Sequence, residues 1–295
     1  MTLTAPATLG GELTGPGQAQ LGELLLGAGT PYVIERVAGA GLPDVRDADT
    51  LRAIADGAQQ DDDYLGARTI ELQLSVRDTP EVGLGQALDV LGLQMGRLRG
   101  VLTQLAWWPR GSGAARYVLG KPRRLAYDAE GWRRDGLQRG VRLQVVCGDP
   151  RWYALAQQTA EVGLPTITGG REYPRTYPLA YGGGGTGLVT ATNAGNAESY
   201  PVTTINGPIL APIIRNTTTG QQIALSSSLA EGQFLVLDHQ ARTVLLGGTA
   251  SRYGELLGTP QWWPLVPGPN ALTLNAAQGN GAFAAVTWRS AYLTA

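Results

Sequence analysis

The sequence contains one cysteine and one histidine in 295 residues, and this scarcity excludes several kinds of chemistry. Cys147 cannot form a disulfide within one chain, and together with His239 it cannot build a zinc site of the His/Cys type. A catalytic triad would have to use His239, which the pattern of residues 237–242 places in a hairpin turn, so we expect no catalysis there. Runs of 18 apolar residues are also lacking, as is a basic start followed by an apolar stretch. We therefore predict a protein that is made in the cytoplasm and has no membrane partner.

Strong charge of either sign is lacking too. The formal net charge is −1, which creates no field that would attract nucleic acid or an anionic membrane. Residues 1–150 carry 16 of the 23 Lys+Arg and 18 of the 24 Asp+Glu, so the second half has a mostly uncharged surface. The 42 Gly and 18 Pro predict many tight turns between short elements. The length favours two domains over one long sandwich.

The first half alternates apolar and polar residues most clearly over Arg68–Val76. This pattern predicts a strand with Ile70, Leu72, Leu74 and Val76 on one face. Leucines and a methionine at helical spacing then predict one amphipathic helix over residues 81–98. Further strands are predicted before and after these elements, within residues 10–37, 116–127 and 137–147, and a domain boundary is predicted shortly after Pro150.

The second half begins with a Gly/Pro-rich segment, residues 154–187, whose composition is typical of a linker or strap. From residue 188 onward, short apolar runs recur about every ten residues with turn signals between them. This spacing predicts an antiparallel β-sandwich or jelly roll over residues 188–295. The predicted fold class is therefore mainly β.

Two charged segments of the first half have opposite signs. Residues 44–63 are predicted to form an acidic loop with a helical turn; a calcium site at Asp61–Asp63 is disfavoured because the twelve-residue loop spacing is missing. Residues 110–142 have six more basic than acidic residues. No nucleic-acid motif accompanies them, so we predict that the two segments pair across a head-to-tail subunit interface. The interface candidates are Asp61, Asp62, Asp63, Arg123, Arg124, Arg133 and Arg134.

Tryptophans are the candidates for sugar binding in the second half. Trp262 and Trp263 could stack against a pyranose ring, as could Trp288, although packing in the core is the alternative that we favour. The six acids of this half include no recognisable pair on a strand, which disfavours a glycosidase. Gly39-Ala40-Gly41 lacks the third glycine of a dinucleotide-binding loop. The sequence therefore predicts no catalytic residues, no cofactor and no metal.

Several segments resemble one family in their order and spacing. They are Asn193-Ala194-Gly195-Asn196, residues 201–208, residues 213–220, residues 232–238 with 242–244, Pro260-Gln261-Trp262-Trp263-Pro264, and residues 286–293. In the first half, Tyr32–Ala40, Asp56-Gly57, Arg68–Val76 and Asp149-Pro150 with Trp152-Tyr153 extend the likeness. Taken together, they resemble the distal tail proteins of long-tailed bacteriophages, the siphoviruses.

The resemblance implies an N-terminal ring-forming domain over residues 1–153, which is a β-sandwich with one α-helix, and a C-terminal galectin-like sandwich over residues 188–295. It implies a non-enzymatic structural protein at the distal end of the virion tail, with six copies in a hub ring. The implied partners are further copies of the chain, the tail tube protein, the tape measure protein and the tail-tip or baseplate hub protein, with DNA passing through the lumen. The alternative function is a carbohydrate-binding module at the tail tip that recognises host cell-wall glycan.

Overall fold

A computed structural model describes residues 10–128, 136–165 and 187–295. The chain divides into two compact units, one of residues 1–155 with 292–295 and the other of residues 156–291. The described residues form many short strands and one α-helix, so the predicted mainly β fold class is confirmed. The two units differ in how strands and helix are combined, and each is described separately.

The first unit consists of short strands, three long adjacent strands and a helix. Its elements are β1 (Ala19–Leu21), β2 (Leu24–Leu26), β3 (Tyr32–Ala38), β4 (Val45–Arg46), β5 (Thr50–Leu51), β6 (Ala58–Gln59), β7 (Tyr64–Leu65), β8 (Arg68–Arg77), α1 (Leu84–Arg97), β9 (Thr103–Trp107), β10 (Arg116–Ala126), β11 (Leu137–Cys147) and β12 (Trp152–Ala154). The main sheet has the order β2-β1-β9-β10-β11-β8-β3, and β12 pairs with β10 beside this path.

Strand β8 is the centre of the first core. The four predicted inward residues, Ile70, Leu72, Leu74 and Val76, are all fully buried, which confirms the alternation. Helix α1 packs Leu84, Ala87, Leu88 and Leu91 against this core. The hydroxyl of Tyr32 on β3 donates a hydrogen bond of 2.8 Å to the carbonyl oxygen of Ala87 and so fixes the helix to the sheet. The predicted helix is confirmed to within three residues at each end.

The second unit consists of three antiparallel sheets. Its elements are β13 (Gln158–Gly163), β14 (Leu188–Asn193), β15 (Val202–Asn206), β16 (Ile209–Leu210), β17 (Ile213–Asn216), β18 (Gln222–Leu225), β19 (Ser228–Leu229), β20 (Phe234–Asp238), β21 (Thr243–Leu246), β22 (Ala250–Ser251), a 3₁₀ helix (Tyr253–Glu255), β23 (Leu256–Leu257), β24 (Gly268–Asn275), β25 (Gln278–Gly279), β26 (Phe283–Trp288) and β27 (Ala291–Tyr292) at its end. The sheet orders are β13-β26-β15-β20-β21-β22, β14-β24-β17-β18-β23 and β19-β16-β25.

One apolar core joins the six-stranded and five-stranded sheets. Ile205 and Leu235 come from the former, and Ile214 and Leu272 from the latter, and all four are fully buried in the same cluster. The alternation of buried and exposed residues along each strand therefore produces the sandwich predicted from the regular spacing of apolar runs.

The structure differs from the predicted linker at one end. Residues Gln158–Gly163 lie in the range 154–187 but form strand β13, which pairs along its whole length with β26. The sequence of this strand, Gln-Thr-Ala-Glu-Val-Gly, shows little apolar alternation, and only Val162 is buried. Residues 166–186 of the predicted linker lie outside the described residues.

Candidate assembly surfaces

Residues 44–65 form a long β-hairpin, here called the hairpin arm. Val45 and Arg46 pair with Leu65 and Tyr64, and farther out Thr50 and Leu51 pair with Gln59 and Ala58. The helical turn predicted in this segment is wrong, because the strands are joined at the tip by the non-helical residues 52–57, where Gly57 has a φ of +90°. The chain therefore projects a two-stranded ladder where sequence reasoning expected an irregular loop.

The hairpin arm buries almost nothing in its own chain. All its residues are exposed except Ala58, which is half-buried. Ile54 is 100% exposed and Leu51 is 87% exposed, so two large apolar side chains lie at the tip in contact with solvent. Sequence reasoning missed both, although isolated apolar residues within a charged loop were a signal. A two-stranded hairpin of this kind is only marginally stable alone in water.

Negative charge follows the arm along its length. Residues 44–63 contain seven aspartates and two arginines, including the predicted interface residues Asp61, Asp62 and Asp63. The backbone amide of Asp61 donates to Asp49 Oδ1 at 3.2 Å, which closes the outer part of the hairpin. Among the described residues, the two ion pairs are Arg151–Asp149 and Arg252–Glu255. The aspartates of the arm are therefore not neutralised within the described part of the chain.

The base of the arm is fixed to the core of the first unit. The amide of Gly66 donates a hydrogen bond of 2.7 Å to the carbonyl oxygen of Asp44, where the two strands converge. A Cβ at Gly66 would lie 3.0 Å from this oxygen, so a side chain would press the strands apart. Because Gly66 is followed at Arg68 by the buried strand β8, the direction in which the arm leaves the unit is set by the core.

A basic surface lies on the β10–β11 pair. Arg123, Arg124, Arg139 and Arg142 are all exposed, and none forms an ion pair among the residues that the structure describes. Arg124 lies opposite Gln144 in the ladder. The other two interface candidates, Arg133 and Arg134, lie outside the described residues. Among the described residues, the aspartates of the arm and these four arginines form no ion pair, and their pairing between copies stays a prediction.

A second group of exposed apolar residues lies on helix α1 and in the segment that follows it. Val90 and Leu93 are 38% and 55% exposed on the helix, and Val101 and Leu102 in the following segment are 44% and 36% exposed. We call these four residues the helix patch. Exposed Arg97 and Arg99 lie between its two halves in the sequence. The patch therefore combines apolar area with positive charge.

Two arginines hold residues 292–295, here called the returning segment, on the first unit. Arg68 is 3% exposed and donates to the carbonyl oxygens of Gly39 at 2.9 Å, Gly41 at 2.6 Å and Leu293 at 2.5 Å. Arg116 donates to the carbonyl oxygen of Thr294 at 2.7 Å, and its guanidinium lies 3.7 Å from the ring centroid of Tyr292. Sequence reasoning missed this arrangement because the hydrogen bonds to residues 292–295 join positions more than 170 residues apart.

Two of the tryptophan candidates, Trp262 and Trp263, lie beside the buried His239. The ring centroid of Trp263 is 4.2 Å from that of His239 and that of Trp262 is 5.8 Å away. Trp263 is fully buried, so the stacking role considered for it does not fit the structure: the indole has no face open to a sugar. Trp288 is also buried and donates from Nε1 to the carbonyl oxygen of Thr192 at 3.0 Å. Trp262 is half-buried, and its role in sugar binding stays a prediction.

His239 itself is placed for packing. Its Nε2 lies 3.1 Å from the hydroxyl oxygen of Thr203. Burial lowers the pKa of His239 to about 3, because the charged imidazolium would lose its hydration. Burial likewise raises the pKa of the Cys147 thiol to about 11. Both side chains are fully buried, which keeps them from any substrate. Within the described ranges, no three His, Cys, Asp or Glu residues are grouped to hold a metal ion.

Buried Asn193 links distant segments of the second unit. Its Nδ2 donates to the carbonyl oxygens of Ala197 at 2.7 Å and Leu265 at 3.0 Å, and its Oδ1 accepts from the amides of Gly195 at 3.1 Å and Ala291 at 3.2 Å. A Cβ at Gly195 would lie 1.7 Å from the Ala291 carbonyl oxygen. These contacts explain physically why the segment Asn193-Ala194-Gly195 needs its asparagine and its glycine.

The fold and these surfaces define a class: a mainly β protein of two units with unpaired surfaces suited to protein contacts. No helix among the described residues is long and apolar enough to cross a membrane. Residues 194–292 match the family model described as siphovirus-type tail component, C-terminal domain. The predicted resemblance to siphovirus distal tail proteins is thereby confirmed. No curated protein sequence matches the chain.

One solved structure extends the likeness to both units. The chain is similar to the Dit protein (gp 19.1) of phage SPP1, described as a paradigm of the hub adsorption apparatus in phages that infect Gram-positive bacteria, with 14% identity and a TM-score of 0.66. The match covers 93% of this chain and 98% of that chain, so the two share a fold. Similarity to a chain of the phage P2 baseplate in its activated conformation with Ca is weaker, with 11% identity, coverage of 92% and 97%, and a TM-score of 0.49.

Proposed function

We propose that this chain is a structural hub protein at the distal end of a siphovirus tail, where six copies form a ring. The family match of the second unit and the fold shared with the SPP1 hub protein support a tail component. The proposed partners are other copies of the chain, the tail tube protein, the tape measure protein and the tail-tip or baseplate hub protein. DNA passes through the lumen of the ring on leaving the particle, and the chain acts as a scaffold and not as an enzyme.

The single observation that carries the ring is the hairpin arm. A projecting ladder with Ile54 fully exposed at its tip gains little stability from its own chain. Burying Leu51 and Ile54 in a partner would contribute about 1.5 to 3 kcal/mol for each side chain. An arm that leaves one copy and binds the next copy creates a head-to-tail contact, and such contacts close into rings when the rotation allows.

The neighbouring copy offers complementary surfaces for the arm. The helix patch supplies apolar area for the tip, and exposed Arg97 and Arg99 beside it oppose the negative charge of the arm. The basic surface with Arg123 and Arg124 supplies further positive charge for Asp61–Asp63. Apolar residues at the centre and charges at the edge match the anatomy of protein interfaces, in which charge sets the register.

Mass photometry of the purified chain tests the proposal. We expect a species at six times the 31.0 kDa monomer mass, and its loss when Leu51→Asp and Ile54→Asp are combined. Because both residues are exposed, the double variant should keep the circular dichroism spectrum of the folded chain. Leu257→Asp, at a 50% exposed position of the second unit, is the matched control and should still assemble. A monomeric wild-type chain, or intact rings of the double variant, would contradict the proposed role of the arm.

A charge reversal tests the second contact. Changing Arg123 and Arg124 to Glu places negative charge opposite Asp61–Asp63 of the neighbour, which should weaken the ring. The matched control is Arg215→Glu, because Arg215 is an exposed arginine on β17 of the second unit. Rings that form equally well with reversed charge at residues 123 and 124 would show that this basic surface is not at the subunit boundary.

A further inference from the structure

The two phenylalanines of the chain lie in one row on the outer face of the second unit. Asn206 at the end of β15 pairs with Phe234 of β20 on one side and with Phe283 of β26 on the other. Phe234 is 36% exposed and Phe283 is 37% exposed. Their strand neighbours Leu235 and Ala284 are fully buried, so the phenylalanines face away from the core. We call Phe234, Asn206 and Phe283 the phenylalanine platform.

The spacing of the platform follows from sheet geometry. Adjacent strands lie about 4.7 to 4.9 Å apart, which places the two phenylalanines roughly 10 Å apart with the amide of Asn206 between them. Large apolar side chains at such positions expose apolar surface to water in the isolated unit, which is unfavourable, whereas Thr or Ser would fit the same strands without this penalty. A flat ligand could therefore contact both rings while it hydrogen bonds to the amide.

A cavity adjoins this row in the fold. The three strands that carry the platform continue over short connections into the three-stranded sheet, in the same lateral order: β20 follows β19, β15 leads to β16, and β26 follows β25. Beside the small sheet lies a cavity of about 410 Å³. Its lining includes the polar residues Ser228, Gln278 and Asn280 and the apolar residues Pro208 and Ile209. This volume lies within the range of about 300 to 1,000 Å³ that is usual for small-ligand sites.

The connection between platform and cavity is tightly packed. A Cβ at Gly207, between Asn206 and Pro208, would lie 2.3 Å from the carbonyl oxygen of Ala230 and 3.0 Å from Leu229 Cβ. The amide of Gly207 donates to the carbonyl oxygen of Gln233 at 2.9 Å, next to Phe234. These contacts fix the platform and the small sheet relative to each other within the second unit.

The polar groups of this region are available and uncharged. Among the described residues, the side chains of Asn206, Ser228, Gln278 and Asn280 form no hydrogen bonds with the protein, and the lining of the cavity includes no charged residue. Rings that stack, amides that donate and accept, and a hydroxyl without net charge match the chemistry of a sugar: apolar CH faces and a rim of hydroxyl groups. An anionic ligand would find no cation here.

We propose that the phenylalanine platform and the adjoining cavity bind a neutral saccharide chain. One sugar ring stacks on each phenylalanine, Asn206 bonds to hydroxyl groups between them, and the chain continues toward Gln278 and Asn280. This site differs from the tryptophan site predicted from the sequence, because Trp263 is buried whereas both phenylalanines are exposed. The binding does not require the ring and goes beyond the scaffold function.

Isothermal titration of the full chain with neutral hexasaccharides tests the site. The probes are the hexamers of β-1,4-linked N-acetylglucosamine and of α-1,4-linked glucose, with a sulfated heparin hexasaccharide as the charged comparison. We expect saturable binding of at least one neutral probe and none of heparin. Phe234→Ala or Phe283→Ala should weaken it about fivefold or more, since one lost stacking contact is worth about that factor.

Tyr253→Ala is the matched control, because Tyr253 is a 51% exposed aromatic residue of the same unit outside the platform. Its affinity for the neutral probe should equal that of the wild type. No binding of either neutral probe, equal binding of heparin, or unchanged affinity of the Phe234→Ala/Phe283→Ala variant would overturn the proposal. If the wild type bound no saccharide and particles with the Phe234→Ala/Phe283→Ala variant lacked a tail protein, the platform would be assigned to a protein partner instead. Mass photometry of the same variant keeps this result separate from ring formation.

Discussion

Replacing Arg68 with alanine should destabilise the first unit strongly, although Arg68 forms no salt bridge with any residue that the structure describes. The guanidinium is almost completely buried and donates to three carbonyl oxygens, those of Gly39, Gly41 and Leu293. Burial lowers its pKa from the ordinary value, which indicates that the charge is held at a cost in hydration. Three hydrogen bonds from a charged donor offset that cost.

The magnitude follows from the carbonyl groups that lose their donor. Each hydrogen bond to a charged group contributes about 1.5 to 3 kcal/mol to stability. Removing the guanidinium also removes the cost of burying its charge, which offsets part of this loss. We expect Arg68→Ala to lower the free energy of unfolding by about 3 to 5 kcal/mol. Arg68→Lys should lose less, because an ammonium keeps the charge but lacks the planar fork that reaches several carbonyls at once.

Urea unfolding followed by tryptophan fluorescence measures the effect, since Trp152 lies 5.8 Å from the guanidinium. Hydrogen exchange of the returning segment is the second readout: the amide of Ala295, which donates to the carbonyl oxygen of Ala40 at 3.1 Å, should lose protection. Arg77→Ala, at an exposed position of the same strand, should stay within about 0.5 kcal/mol of the wild type. An Arg68→Ala variant as stable as Arg77→Ala, with protection retained, would refute this reasoning.

Two further predictions concern the second unit. His239 has a folded-state pKa of about 3, below the ordinary value of 6.5, so the unfolded chain takes up a proton first as the pH falls. Stability should be complete above pH 6.5 and fall by about 2 kcal/mol by pH 5; urea unfolding at pH 7 and pH 5 should show this slope in the wild type and a smaller one in His239→Gln. Asn193→Asp should cost more than about 3 kcal/mol, because an ionised carboxylate cannot donate to the carbonyl oxygens of Ala197 and Leu265. Asn275→Asp, at an exposed position, is its thermal-unfolding control, and equal melting temperatures would contradict the prediction.

The elements that the sequence revealed are those with a repeating apolar pattern. Strand β8 buries its apolar residues at every second position, and helix α1 buries its apolar residues on one face. The core residues of both elements could therefore be predicted from the spacing of apolar residues in the sequence. By contrast, β13 buries only Val162, and β4 to β7 bury nothing, so no apolar alternation marked them as strands.

The candidate surfaces were harder to predict for a related reason. A pattern shows which residues are apolar, but exposure depends on where the surrounding strands place them. Trp263 and Phe234 are both aromatic residues near turns, yet the former is fully buried and the latter is 36% exposed. The row of Phe234, Asn206 and Phe283 depends on the register between three strands that are far apart in sequence, and local spacing contains no information about it.

Charge distribution separates the two proposed activities by their response to salt. The arm has seven aspartates and two arginines over residues 44–63, and its proposed acceptors are exposed arginines, so this attraction acts through water. Screening shortens its range from about 10 Å at 0.1 M to about 3 Å at 1 M salt. Ring formation by the wild type should therefore weaken with added sodium chloride, and the variant with Arg123 and Arg124 changed to Glu should respond less. Saccharide binding at the uncharged platform should keep its affinity over the same range. If ring formation did not depend on the salt concentration while the affinity for saccharide fell with added salt, the assignment of the two surfaces would be reversed.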